Sequence, residues 1–287
     1  MKIYLETSTV IKLQNMKAEN AYTSILTLFE LISGINNKEE FNKRKQAVEK
    51  IMKSGIYIDW DFVDKKLCSF FEQKKYDKNF TKSFETVIKL FLNSSYKKFI
   101  EEKLYITQED GSVRAKNILD YLKEKDKKIE SMRNKCNVMF NEDKTFIREK
   151  FNKEGLKGLA TYFWDKYKHY KFNTDRLNHA EAFVGEKQIN ITKNKIEETY
   201  NKYNFQLFMT AQSVIFAKAI YIDGGTQDRN NPSDLLHLLY LNDREDRFVS
   251  ADHEIYSKIS EAIEYFNPII INDNDKDINE IIKKYIQ

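Results

Sequence analysis

The spacing of apolar residues changes along the chain, and each change marks a predicted element. Residues Lys2–Leu5 form a short apolar and aromatic run with no helix start signal before it, which predicts a strand. Within Tyr22–Ile35 apolar residues recur at helical spacing, and Gly34 marks the predicted end of that helix. A second amphipathic stretch, Phe41–Met52, precedes another predicted strand at Ile56–Ile58. The first part of the chain therefore alternates strands with helices.

The last part of the chain repeats this alternation. Helical spacing returns over Phe205–Ile220, and after a loop rich in turn residues Ser233 is placed to cap a helix that begins at Asp234. Apolar strands are predicted at Phe248–Ser250 and Pro268–Ile271. Strands separated by helices predict an α/β fold, in which a small parallel sheet has helices on both faces.

The middle of the chain has a different pattern, which is helical and strongly charged. No convincing strand is predicted there except at Gln188–Thr192. We therefore expect a helix-rich protein with a large α-helical insertion. Its predicted parts are an N-terminal part over residues 1–75, the insertion over residues 76–203, and a C-terminal part over residues 204–287.

The composition is that of a globular protein, since 41% of the residues are hydrophobic and 32% are charged. Two prolines and eight glycines are few, which favours long helices because both residue types disfavour helix interiors. Cys68 and Cys136 have no C-x-x-C spacing, which argues against a disulfide framework or a structural zinc site. The sequence has no signal peptide pattern and no run of about 18 apolar residues, so we expect a cytoplasmic protein without a membrane segment.

Four acidic residues occupy positions that such a fold would bring together. Glu6 follows the first strand, Glu30 lies in the next helix, Asp234 starts a late helix, and Asp252 follows a late strand. In a parallel sheet, the carboxyl ends of strands and the starts of the following helices lie along one edge. Clustered carboxylates repel one another and offer only oxygen ligands, which favour hard cations such as Mg²⁺ or Mn²⁺.

Four short segments resemble the motifs of PIN-domain nucleases, in the order in which that family has them. MKIYLETSTVIKL is similar to the family's opening strand and turn, except that an Asp normally stands where this chain has Glu6. SILTLFELISGI resembles the family's S-x-x-T-x-x-E-L helix, which includes Glu30. NPSDLLHLL and FVSADHEIY resemble the segments that supply the later acids, Asp234 and Asp252.

The resemblance implies a PIN-like fold and a metal-dependent nuclease, with RNA as the usual substrate. It implies that one or two Mg²⁺ or Mn²⁺ ions are held by Glu6, Glu30, Asp234 and Asp252. Ser8 would support this set by orienting a ligand or a water. The metal-bound water would attack a phosphodiester in line. The insertion would select substrate, form a homodimer or dock a regulatory protein.

The extra methylene of Glu6 leaves a second function open. Displacing a metal ligand by about 1 Å costs on the order of a hundredfold in rate. The alternative function is therefore an inactive PIN-like adaptor that binds nucleic acid or protein. The net charge of +4 permits a nucleic-acid partner in either case without requiring one.

Each acid also has an ordinary structural interpretation when taken alone. Glu30 would then be an acid on a helix surface, and Asp234 an acid at a helix N-terminus, where the helix dipole favours it. Asp252 would be a turn residue and Glu6 a loop residue. The ordered set of acids favours a shared site instead.

Three other features of the sequence are open to two interpretations. Arg247 and His253 have the R-x₅-H spacing of HEPN-type ribonucleases, but their predicted strand and turn disfavour that metal-free site. His237 would either line the cleft of a PIN-like fold or pack in the core, and the packing role is favoured. The stretch LATYFWDKYKHYKF is rich in aromatic residues and lysine, so it would form either a stacking surface for nucleic acid or part of a buried core. The core interpretation is favoured, because several of its apolar residues have helical spacing. These residues are Leu159, Tyr162, Phe163, Tyr167 and Tyr170.

Overall fold

The computed structural model of the chain describes residues 1–70, 79–107, 112–127, 143–169, 192–224 and 234–286. The strands are β1 (Ile3–Leu5), β2 (Ala21–Ser24), β3 (Tyr57–Asp59), β4 (Lys103–Thr107), β5 (Val113–Asn117), β6 (Arg247–Ser250) and β7 (Ile269–Ile270). Five of them form one sheet in the order β3-β2-β1-β6-β7, and every pair in it is parallel. The predicted α/β class with a small parallel sheet flanked by helices is confirmed.

Helices account for most of the described chain. In the first half they are α1 (Thr7–Lys12), α2 (Ile25–Ser33), α3 (Lys38–Ser54), α4 (Val63–Phe70), α5 (Phe80–Asn93), α6 (Tyr96–Glu101) and α7 (118–127). In the second half they are α8 (Lys144–His169), α9 (Lys193–Asn201), α10 (Tyr203–Ala217), α11 (His253–Ala262) and α12 (Ile278–Tyr285). A π-helical turn at Lys218–Ile222 follows α10, and a 3-10 turn at Leu236–Tyr240 precedes β6.

The centre of the sheet joins the two ends of the chain. Strand β1 is fully buried and pairs with β2 on one side and with β6 on the other. Tyr4 lies opposite Phe248 of β6 and Tyr22 of β2, and its ring contacts the rings of both. Long-range pairing of this kind brings residues near position 5 next to residues near position 250.

The single helix predicted over Tyr22–Ile35 was wrong at its start. Residues Ala21–Ser24 form strand β2, and the helix begins only at Ile25. The hydroxyl of Thr23 donates to the backbone oxygen of Leu5 at 2.7 Å, and β2 is buried between β1 and β3. Sheet pairing on both sides therefore overrides the helical spacing, which is a local signal. The predicted end at Gly34 is confirmed.

The insertion was predicted to be helical, and this was wrong over one segment. Strands β4 and β5 form an antiparallel hairpin there, with Leu104 facing the core. Only one face of the hairpin is buried, and Tyr105 on the other face is 71% exposed. This hairpin was not predicted, because its alternation of buried and exposed residues is short and charged helices surround it in the sequence. Most of the predicted strand at Gln188–Thr192 lies outside the described residues.

The described part of the insertion shares its core with the rest of the protein. Helix α8 packs against α10 and α11, which belong to the C-terminal part. Leu159 and Phe163 of α8 are fully buried and Tyr162 is partly buried, which confirms the predicted packing role for these residues. The side chains of Tyr167 and Tyr170 lie outside the described residues. The domain boundaries near residues 75 and 204 stay predictions.

Among the described residues, one helical stretch is long and apolar enough to cross a membrane. It covers Tyr203–Ile222, and 72% of its apolar window is buried inside the protein. A helix at the centre of a globular core has the same length and composition, so this stretch is weak evidence for a membrane span.

Candidate acidic site at the carboxyl edge of the sheet

The candidate site begins where three neighbouring strands end. Strands β2, β1 and β6 are adjacent and parallel, so their carboxyl ends lie side by side. Glu6 directly follows β1, Glu30 lies on the helix that follows β2, and Asp252 lies two residues after β6. This arrangement follows from the parallel pairing. The sequence predicted it for Glu6 and Asp252, but strand β2 before Glu30 was not predicted.

Glu6 is a buried acid that caps helix α1, with 5% of its surface exposed. Its Oε2 accepts a hydrogen bond from the Ser8 backbone N–H at 2.9 Å, and its Oε1 accepts from the Ser8 hydroxyl. Oε1 also accepts from Ser250 Oγ at 2.9 Å and from the Ala251 N–H at 3.3 Å. Glu6 therefore satisfies a helix N-terminus and ties it to the turn after β6.

Ser8 supports Glu6 from the same turn. Its hydroxyl donates to Glu6 and accepts from the Ala251 backbone N–H at 2.8 Å. The hydroxyl is thus shared between helix α1 and the turn after β6. In this structure Ser8 holds Glu6 in place.

Asp252 is also a helix cap. Its Oδ1 accepts from the backbone N–H groups of Glu254 at 2.9 Å and Ile255 at 3.4 Å, at the start of α11. Its own N–H donates to Ser250 Oγ at 2.8 Å. The turn-forming interpretation of Asp252 is therefore correct locally, and it does not conflict with a ligand role for the other carboxylate oxygen.

Glu30 is held by side chains from two other elements. Its Oε2 accepts from the Thr7 hydroxyl of α1 and is 3.0 Å from Nε2 of His237, on the 3-10 turn. The other ring nitrogen of His237, Nδ1, is 2.6 Å from the hydroxyl of Tyr4. Both histidine nitrogens thus have polar partners, so the favoured prediction that His237 simply packs was incomplete.

The electrostatics of His237 reflect this position. Burial lowers the pKa of His237, because it disfavours the charged ring, but the net direction is upward. Glu30 is the main cause of the rise, through its charge and its hydrogen bond, and Glu6 and Asp234 add to it. The histidine is therefore surrounded by carboxylates.

Asp234 lies within electrostatic reach of the other three acids. Burial is the largest cause of its raised pKa, which reaches about 8. Glu30, Asp252 and Glu6 raise this pKa further because like charges disfavour ionisation. His237 acts in the opposite direction. All four predicted acids are therefore brought together around one edge of the sheet.

The four acids do not by themselves form a complete metal-binding site. In the described part of the chain, no group of three or more His, Cys, Asp or Glu side chains is arranged to hold an ion. Within the same residues, however, protein donors leave Oε1 of Glu30 and Oδ2 of Asp252 free. Mg²⁺ keeps several waters and is commonly held by one or two carboxylates plus substrate phosphate, so this donor set fits such an ion.

Sequence reasoning missed four contributors to the site, namely Tyr4, Thr7, Ser250 and the polar role of His237. Thr7 is in the same polar cluster as Glu6 and Ser8, so its position was a usable signal. In the sequence, Tyr4 and Ser250 have the pattern of ordinary strand residues. Only the sheet pairing makes them neighbours of the acids.

The disfavoured R-x₅-H interpretation is not supported by the geometry. Arg247 begins strand β6, whereas His253 begins helix α11 beyond the other end of that strand. In that ribonuclease family the motif lies on one helix. The two residues are therefore separated by the length of a strand.

Comparison with protein-family models, with curated proteins and with solved structures gave no match. Any function for the site must therefore be inferred from its own residues. The relevant features are the shared edge, the buried cap at Glu6 and the electrostatic coupling of Asp234.

Proposed function

We propose that this chain is a PIN-like, metal-dependent endonuclease that hydrolyses phosphodiester bonds in RNA. The observation that carries the proposal is the gathering of Glu6, Glu30, Asp234 and Asp252, from both ends of the chain, at one sheet edge. Burial first, and then the neighbouring carboxylates, raise the pKa of Asp234 to about 8, so an ionised carboxylate there is unfavourable without a compensating cation. A hard divalent ion would remove that penalty.

Glu6, Glu30, Asp234 and Asp252 are the residues that would hold Mg²⁺ or Mn²⁺. When bound, such an ion lowers the pKa of a coordinated water and neutralises charge on the phosphate. Glu6 and Ser8 are placed to hold helix α1 and the turn after β6 together around this edge. Thr7 and His237 orient Glu30, while the Tyr256 hydroxyl donates to the backbone oxygen of Asp234 at 2.8 Å.

The test is metal binding and RNA cleavage by the full chain, compared with Asp234→Asn. We expect the wild type to bind Mn²⁺, measured by loss of the free-ion paramagnetic resonance signal, and to cleave single-stranded RNA. Asp234→Asn should reduce both by at least about 100-fold, the upper end of the loss caused by removing even an outer-shell partner.

Glu245→Gln is the matched control. It also removes one negative charge, but Glu245 is largely exposed, at 82%, and lies before β6, at the opposite end of the strand from Asp252. Binding and cleavage should be unchanged in this variant. Wild-type protein that neither binds Mn²⁺ nor cleaves RNA would refute the proposal.

The second candidate is a PIN-like adaptor without catalysis, which binds nucleic acid or protein. It is favoured by the use of Glu6 as a helix cap and by the lack of a three-residue metal group among the described residues. In that case the protein should fold stably and bind RNA in EDTA without cutting it. Cleavage that appears only with a co-purifying protein would instead indicate a regulator docked on the insertion.

A further inference from the structure

His237 is a deeply buried polar ring at the site, with 1% of its surface exposed. A buried imidazole must find hydrogen-bond partners for both nitrogens, because an unpaired polar group away from water is costly. Here the partners come from elements that are far apart in the sequence, namely Tyr4 on β1 and Glu30 on α2. The ring therefore links a core strand to an acid of the proposed site.

The direction of these hydrogen bonds follows from the donor inventory. A carboxylate only accepts, so Nε2 of His237 carries the hydrogen and donates to Oε2 of Glu30. In the neutral ring Nδ1 is then the acceptor, and the hydroxyl of Tyr4 donates to it. The Tyr4 oxygen can in turn accept from Ser24 Oγ, which is 2.7 Å away. The chain of donors thus runs from Ser24 through Tyr4 and His237 to Glu30.

The effect of this chain falls on one oxygen of Glu30. The Thr7 hydroxyl and His237 both donate to Oε2, and within the described residues no protein donor reaches Oε1. Two donors on one oxygen restrict the rotation of a flexible glutamate before any ligand arrives. Hydrogen bonds from outer-shell groups serve this purpose at metal sites, because they fix the ligand and raise its affinity.

We propose that His237, backed by Tyr4, is a positioning residue that holds Oε2 of Glu30 so that Oε1 is available to a divalent cation. This inference rests on the proposed nuclease function and specifies how one of its ligands is prepared. His237 acts through Glu30 and does not itself touch the substrate or the ion.

The experiment compares two neutral amides at position 237. His237→Gln places an amide N–H near the former Nε2 and keeps a donor to Glu30, whereas His237→Asn reaches only to the former Nδ1 and loses it. Mn²⁺ binding is measured by paramagnetic resonance without RNA. We expect His237→Asn to weaken binding about 10- to 100-fold, the usual loss for an outer-shell partner, and His237→Gln to recover most of it. Equal binding by wild type and His237→Asn would overturn the proposal.

A second measurement needs no metal and shows whether the contact itself exists. In EDTA, the effects of His237→Asn, Glu30→Ala and the double variant on urea unfolding should be non-additive, because each single change removes the same hydrogen bond. Additive shifts in the urea midpoint would refute the hydrogen-bond chain.

The two measurements separate the failure of each claim. Wild type that binds no Mn²⁺ refutes the nuclease proposal and with it the positioning role, even if the contact is present. Wild type that binds Mn²⁺ while both histidine variants bind equally well refutes only the role of His237. A fall in binding in His237→Asn with rescue in His237→Gln, both variants being folded at the temperature of the measurement, is the supporting result.

Discussion

The two sides of the acidic site hold their carboxylates by different means. The capping side consists of Glu6, Ser8, Ser250 and Asp252. The histidine side consists of Thr7, Glu30, Asp234 and His237. On the capping side, the acids accept hydrogen bonds from backbone N–H groups at helix N-termini. On the histidine side, Glu30 is held by side chains, whereas burial and the charges of described neighbours, with no hydrogen bond among the causes of its raised pKa, act on the Asp234 carboxylate.

The difference shows that equally acidic residues at one sheet edge carry different energetic costs. Glu6 is compensated by protein donors, so it stabilises the fold as it stands. Asp234 is not, and its pKa is raised to about 8 by burial and by its acidic neighbours. We therefore expect changes on the capping side to cost stability and changes at Asp234 to affect ligand binding more than folding.

The largest effect is expected for Glu6→Ala. Removing the carboxylate leaves the buried Ser250 hydroxyl and the Ser8 N–H without their acceptor, while the Ala251 N–H keeps the Ser8 hydroxyl. Each buried donor left without an acceptor costs about 1 to 3 kcal/mol, and Glu6→Ala leaves more than one. Urea unfolding in EDTA measures this free energy, with the exposed Glu245→Ala as control. A loss no larger than that of the control would mean that the capping side is not structural.

The second effect is a pH dependence that comes from Asp234. Its pKa is higher in the folded protein than the ordinary value of 3.8. The unfolded chain therefore ionises first, and the free energy of unfolding falls as pH rises from about 4 to about 8. His237 acts in the same direction, since its folded pKa is also raised.

Asp234→Asn isolates the contribution of the acid. In EDTA at pH 8 the variant should be more stable than wild type, by on the order of 2 kcal/mol after allowance for solvent screening. At pH 4 the two should be nearly equal. Saturating Mn²⁺ should stabilise the wild type selectively. A variant less stable than wild type at pH 8 would contradict the destabilising effect assigned to the ionised Asp234 carboxylate.

Glu6→Asp tests whether the capping acid also serves the cation. The shorter side chain can still cap α1, but it reaches less far toward Ser250, so a loss of about 1 kcal/mol is expected. If the proposed PIN-like site is correct, cleavage should be preserved or raised, because the resemblance implies an Asp at this position. Abolished cleavage in a folded protein would count against Glu6 as a ligand.

The smallest effect is expected for Tyr256→Phe. The ring keeps its contacts with Phe248 and Phe266, but the backbone oxygen of Asp234 loses its donor. The expected loss is about 1 kcal/mol by urea unfolding. Tyr57→Phe, at a ring that is 68% exposed, is the control and should be neutral. Equal results for both would show that the Tyr256 hydrogen bond is not needed.

The sequence predicted the elements near the site unevenly. Strand β1 and the late strands were found because they are short apolar runs bounded by polar or turn residues. Strand β2 was missed because its residues share helical spacing with α2, and only pairing with β1 and β3 makes them a strand. The hairpin of β4 and β5 was missed because charged helices surround it and only one of its faces is buried.

Local sequence alone determined that Glu6 and Asp252 each follow a strand, and the structure adds that each caps a helix, α1 or α11. That placement needs no long-range contact, because an acid before a helix caps its free N–H groups. The tertiary structure alone decided that Glu30 meets His237 and Thr7, and that Asp234 has a raised pKa. These properties depend on burial and on through-space contacts between separate segments, which lie 23 residues apart for Thr7 and Glu30 and 207 apart for Glu30 and His237, and no local pattern encodes them.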